Sequence, residues 1–146
     1  MLRLALIGPR ELIAMQREVP DARLARLEKP ADPKQLWTEQ RMEESLALDH
    51  PRGFDMADLD GDGRLDFVVG ESGGAGRLFL FRNQGGGCFT PQLIATGVAA
   101  ERVHAVDWSG DGRHGVGTGV ITGFITIGKG VISLWQNETR RQGTPP

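Results

Sequence analysis

DLDGDGRLDFVVG at residues 58–70 returns, altered, as DWSGDGRHGVGTG at residues 107–119, and this pairing decides the fold. The two stretches are 49 residues apart (58 to 107). A second pair, LFLFRNQ from 78 and ISLWQNE from 132, is 54 apart, so the second copy holds five extra residues; these are assigned to the loop VITGFITIGKG, 120–130. LWTEQRMEES stands where CFTPQLIATG stands one unit later. The amino terminus fits loosely, RLALIG resembling RLDFVVG and ELIAMQRE resembling RLFLFRN.

Around these markers the chain reads as short strands. Phe54–Asp58, Phe67–Gly70, Leu78–Arg82, Phe89–Ala95, Val103–Trp108 and Val131–Gln136 are rich in Val, Ile, Phe and Leu and are bounded by Gly, Asp, Asn or Ser. The 21 glycines gather after residue 53, as tight turns between strands require. In Leu78-Phe79-Leu80-Phe81 every residue is apolar, which predicts a strand covered on both faces by stacked sheets. A repeat of about 50 residues made of four short strands is the signature of a propeller blade. The fold expected is therefore all-β: four-stranded antiparallel propeller blades, about two and a half of them, forming an incomplete β-propeller. Residues 1–36 are a partial blade and connecting loop, 37–96 a blade with an acidic loop, 97–138 a second, degenerate blade, and 139–146 a disordered tail. Two signals conflict at 37–46. Asp32-Pro33-Lys34-Gln35 is a good helix start, followed by helix formers, whereas the repeat makes 37–43 an outer strand.

Composition narrows the function. Seventeen basic against 19 acidic residues give a formal net charge of −2, without the basic footprint of a nucleic-acid or anionic-membrane partner. No stretch approaches the ~20 apolar residues of a spanning helix, and no signal peptide is visible in MLRLALIGPR. The single cysteine, Cys88, cannot form an internal disulfide.

The chemistry concentrates in DLDGDGRLD, 58–66. Four carboxylates this close repel unless something neutralises them, and a hard cation with 6–8 oxygen ligands does so. Asp58, Asp60 and Asp62 converge on one point only if the backbone curls, which Gly61 and Gly63 permit. The carbonyl of Arg64 adds an oxygen and Asp66 closes the ring, so Ca²⁺ is the expected cofactor. With no His or Cys in the loop, zinc is disfavoured. A helical calcium hand would need Glu at the twelfth position, which is Val69, and Phe67-Val68-Val69-Gly70 enters a strand instead. In the second copy Ser109 and Gly115 replace carboxylates, leaving Asp107 and Asp111, with Ser109 and the Arg113 carbonyl, as a weak second site at most.

GFDMADLDGDGRLDFVVGE followed by RLFLFRN closely resembles the FG-GAP or VCBS repeat, the blade unit of integrin alpha-subunit propellers and of many bacterial extracellular proteins. The resemblance is good over 53–138 and poor over the first 50 residues. It implies Ca²⁺ between the first and second strands of a blade, held by Asp58, Asp60, Asp62, Arg64 and Asp66. It also implies an extracellular or cell-envelope location. On the opposite face it places His50, Arg52 and Glu71, beside Asp49 and Ser72, as a candidate ligand-binding patch. The sequence contains no nucleophile elbow, phosphate loop or zinc motif. Trp37, Trp108 and Trp135, though able to stack on sugars, stand at strand positions and read as core. The expected function is a calcium-binding, non-enzymatic module for a protein or glycan ligand, completed by further blades or by self-association. The alternative is a fragment of a propeller-based carbohydrate-active enzyme, a lyase or dehydratase.

Overall fold

The computed structural model describes residues 2–42, 46–106, 123–128 and 131–136. Eleven antiparallel strands form three sheets, and no helix occurs among the described residues. The first sheet runs β1 (Leu2–Gly8), β2 (Glu11–Gln16), β3 (Leu24–Glu28) and β4 (Thr38–Arg41) in that order. The second runs β5 (Pro51–Ala57), β6 (Asp66–Glu71), β7 (Leu78–Gly85) and β8 (Cys88–Ala95). The third has the order β11 (Val131–Gln136), β10 (Gly123–Gly128), β9 (Arg102–Val106). Each strand pairs with its sequence neighbour, the pattern of blade-like units, and the sheets do not close into a ring.

Cross-strand pairing outweighs helix propensity at 38–41: Thr38, Glu39, Gln40 and Arg41 pair with Glu28, Leu27, Arg26 and Ala25. The Asp32 carboxylate caps the N–H of Lys34 at 2.9 Å, but inside a turn, so the capping signal was real and its continuation as a helix was not. Three other expectations are corrected. The segment 120–130 is not simply an apolar loop, because Gly123–Gly128 pairs with both β9 and β11 as the middle strand of its sheet. Within residues 1–36, expected to hold a partial blade and a connecting loop, Leu24–Glu28 is a strand that joins β2 to β4 and makes the sheet four-stranded. Trp37 lies 41% exposed rather than in a core. Trp108 and the tail at 139–146 lie outside the described residues, as does the side chain of Trp135.

The second sheet is the hub. One face of β6 and β7 presents Phe67, Val69, Phe79 and Phe81, which pack with Phe54 against Ile13, Met15 and Leu24 of the first sheet. Phe67 is completely buried, stacked on Phe81 at 4.5 Å between ring centroids and on Phe54 at 5.6 Å. The opposite face presents Val68, Leu78 and Leu80 to Ala100 and Val103. The two-sided cover expected of Leu78–Phe81 is thus present, and it explains why this strand lacks the polar alternation of a half-exposed one. Close approach on the second face needs a glycine pair. Gly53 and Gly70 face each other across β5 and β6, and a Cβ on Gly70 would lie 2.5 Å from Ala100 Cβ and 2.9 Å from its carbonyl oxygen.

Candidate metal centre and the opposite end of the second sheet

The acidic turn joins β5 to β6, where Ala57 pairs with Asp66 and the chain must reverse within eight residues, 58–65. Gly61 (φ 81°) and Gly63 (φ 85°) supply the left-handed conformations of that reversal. Carboxylates then fold inward onto the turn's own N–H groups. Asp58 accepts from Gly61 at 2.7 Å and Gly63 at 2.9 Å, and Asp60 accepts from Asp62 at 3.2 Å. Asp66 accepts from Leu59 at 3.1 Å and, across the sheet, from Asn83 at 2.8 Å. The result gathers oxygens of Asp58, Asp60 and Asp66 within 4.8 Å of one another.

Asp66 has no accessible surface. Burial pushes its carboxyl above the ordinary range, against the lowering effect of its two backbone hydrogen bonds, and nearby Asp60 adds to the rise. A cation at the shared point would reverse that preference. Two oxygens bound to one Ca²⁺ at about 2.3–2.6 Å are separated by at most roughly 5 Å, so the three carboxylates fit a single ion of this kind. Their all-oxygen character suits a hard cation.

Asp62 stands apart from that group. Its carboxylate accepts from the N–H of Arg64 at 2.8 Å and pairs with the Arg64 guanidinium, whose Nε donates to the Asn83 carbonyl at 2.9 Å. Sequence reading missed two supports on β7. Arg82 Nη1 reaches Asp60 Oδ2 at 3.2 Å. Asn83 donates its side-chain amide to the Leu65 carbonyl at 3.1 Å, tying the end of the turn to β7, and accepts from Gly85 N–H within β7 at 2.9 Å. The recurrence of LFLFRNQ as ISLWQNE, with Asn at 83 and 137, was the available signal for Asn83. The second candidate site, Asp107, Ser109, Asp111 and Arg113, lies outside the described residues.

At the other end of β6 the patch expected around His50 is divided by burial. Glu71 has no accessible surface and fills its lone pairs within the protein. It accepts from Asp49 N–H at 2.8 Å and from Arg77 three times, through its backbone N–H at 3.1 Å, Nε at 2.8 Å and Nη2 at 2.6 Å. The Glu71 carboxylate in turn raises the pKa of Arg77. Arg77 Nη2 also donates to the Ala47 carbonyl at 2.6 Å, and its guanidinium lies 5.1 Å from the Phe79 ring centroid. Glu71 is therefore a buried anchor whose carboxylate is engaged by Asp49 and Arg77. His50 and Arg52 reach solvent: the His50 ring pairs with the Asp49 carboxylate, and Arg52 lies 3.6 Å from Glu18 and 3.9 Å from Glu101. His50 adopts φ 49°, unusual for a residue with a Cβ, and its backbone is clamped by Val19 on one side and Ser72 on the other.

Residues 50–114 match the model of the FG-GAP-like repeat family. No curated protein and no solved structure matches the chain. The match begins at His50 and takes in the whole second sheet, the acidic turn and β9.

Proposed function

The chain carries an FG-GAP-like repeat at its centre, and from that premise we propose that it is a calcium-stabilised, propeller-type binding module without catalytic activity of its own. The observation that carries the calcium reading is the convergence of Asp58, Asp60 and Asp66 oxygens within 4.8 Å at a tight turn. Asp62 and the carbonyl of Arg64 complete the expected ligand set. Bound calcium supplies a fixed positive charge that lets the buried Asp66 stay ionised and fastens the β5–β6 turn. The protein's own residues shape the turn: glycines let it curl, backbone N–H groups orient the carboxylates, and Asn83 ties it to β7.

Recognition of a protein or glycan ligand then falls to exposed surface on the stacked sheets. His50 and Arg52 offer polar contacts at one end of the second sheet. At the calcium end, a cleft of about 360 Å³ lies between the first two sheets, bordered by Arg26, Arg64, Asn83 and Phe89. An extracellular or envelope location follows from the usual setting of this repeat.

Calcium at 100 times its Kd adds about 2.7 kcal/mol of stability by mass action, which in a chain of this size raises Tm by roughly 5–10 °C. Differential scanning calorimetry in calcium and in chelator should show that rise in the wild type and its loss in Asp60→Ala. Identical melting of the wild type in calcium and chelator would refute the assignment.

A further inference from the structure

We infer that Arg82 is an internal counter-cation that sets the calcium affinity of the turn: it holds Asp60 when no ion is present and competes with the ion for that carboxylate. The inference rests on the calcium reading above and concerns its regulation.

Charge counting motivates it. The turn holds four carboxylates, Asp58, Asp60, Asp62 and Asp66, and two guanidiniums touch it, Arg64 on Asp62 and Arg82 on Asp60. With every group ionised, two negative charges are left, the complement of one divalent ion. The two arginines are placed differently. Arg64 belongs to the turn itself, and its partner Asp62 stands outside the group of three converging oxygens. Arg82 comes from β7, where it pairs in register with Thr90 of β8, and its partner Asp60 is one of the three. Its side chain is about one-third exposed and that of Asp60 about one-fifth, so the pair sits at the rim of the site, partly screened by water.

Both oxygens of Asp60 are occupied in this arrangement, Oδ1 by the N–H of Asp62 and Oδ2 by Arg82. An ion binding to Asp60 must share Oδ2 with the guanidinium or displace it, and in either case the positive charge of Arg82 opposes its arrival. Asn83, the next residue, donates from uncharged groups, its backbone N–H to Asp66 Oδ1 and its amide to the Leu65 carbonyl, and so brings no positive charge against an arriving ion. Adjacent residues of β7 thus act in opposite senses. Asn83 favours the ion-binding shape, and Arg82 weakens the binding that this shape permits.

The test is calcium titration by calorimetry of the full chain as wild type, Arg82→Gln and Arg82→Lys, with circular dichroism in chelator to follow the fold. Removing the charge in Arg82→Gln should tighten calcium binding roughly three- to tenfold, the size expected for a partly screened charge beside a divalent ion. Arg82→Lys, which keeps the charge, should bind within about twofold of wild type. If Arg82 only propped up the turn, Arg82→Gln would bind calcium more weakly. Weaker or unchanged binding in that variant overturns the inference while the calcium reading stands. Should Arg82→Gln fail to fold in chelator, Arg82→Lys decides the matter at two ionic strengths. Its affinity must respond to salt as the wild type's does, and a tenfold loss at either strength overturns the inference. Absence of calcium binding in the wild type overturns both readings.

Discussion

Gly70→Ala tests the stacking of the second sheet on the Ala99–Val103 segment directly, because the new methyl would point into that contact. The added methyl would lie 2.5 Å from Ala100 Cβ, 2.9 Å from Ala100 O and 3.4 Å from Ala100 Cα. Two of these contacts are far inside van der Waals separation, and neither partner is the end of a flexible side chain. Ala100 is completely buried, and its carbonyl accepts from Gly53 N–H at 3.2 Å. Relief therefore requires the segment to lift off the sheet. Overpacking of this kind costs about 1–3 kcal/mol. Loss of the Gly53 hydrogen bond adds about 1 kcal/mol, for a total near 2–4 kcal/mol. Urea denaturation should show the midpoint falling with an unchanged m-value. Ala100→Gly in the same chain removes the 2.5 Å contact but leaves the carbonyl at 2.9 Å, so it should restore about half the loss, a coupling of roughly 1–2 kcal/mol. A cost below about 0.5 kcal/mol for Gly70→Ala, or strictly additive effects in the double variant, would refute the stacking described here.

Two further outcomes are expected. Glu71→Gln should destabilise the protein by about 2–3 kcal/mol, because it weakens a fully buried carboxylate's bonds to a partly exposed arginine, yet leave calcium affinity within twofold, as denaturation and calcium titration in parallel would read; an unchanged denaturation midpoint would refute the anchoring role of Glu71. Asn83→Ala deprives the Leu65 carbonyl and the Gly85 N–H of their partner, costing about 1–2 kcal/mol, and should weaken calcium binding as the turn loosens, which the same titration reads.

Most of the fold was legible because the second sheet is buried on both faces: continuous apolar runs such as Phe67–Gly70 and Leu78–Phe81 announce themselves without alternation. Where strands lie at the margin, the signal fails. Thr38–Arg41 is exposed throughout and made of residues that serve helices as well. β3, LARLE, owes its state to β2 and β4 on either side, which local sequence does not encode. Gly123–Gly128 is flanked by glycines and falls in the part of the second copy that the repeat treats as an insertion, so it was read as a loop. At the acidic turn, residue types and spacing pointed to five residues, of which the structure brings the carboxylates of Asp58, Asp60 and Asp66 together. They could not reveal that Asp62 turns to Arg64, because that choice depends on a guanidinium two residues away competing with a shared point in space. Nor could they reveal the burial of Glu71, an acid kept dry by an arginine that only the β6–β7 turn brings alongside.

β6 begins at Asp66 and ends at Glu71, and these two acids are the completely buried polar residues among those described. Their situations are opposite. Glu71 has its counter-charge written into the polypeptide, an arginine six residues on, and is satisfied wherever the protein happens to be. Asp66 accepts hydrogen bonds from two backbone amides and feels the charge of Arg82 only from the rim, where that guanidinium is engaged with Asp60, so on the proposed calcium reading the bound ion supplies most of its counter-charge. On that reading a single strand of six residues is polarised, with one end autonomous and the other dependent on what the medium contains. Changes in ionic surroundings will be felt first at the β5–β6 end, while the His50 end keeps its shape, so a ligand held there would be insulated from the very variable to which the turn responds.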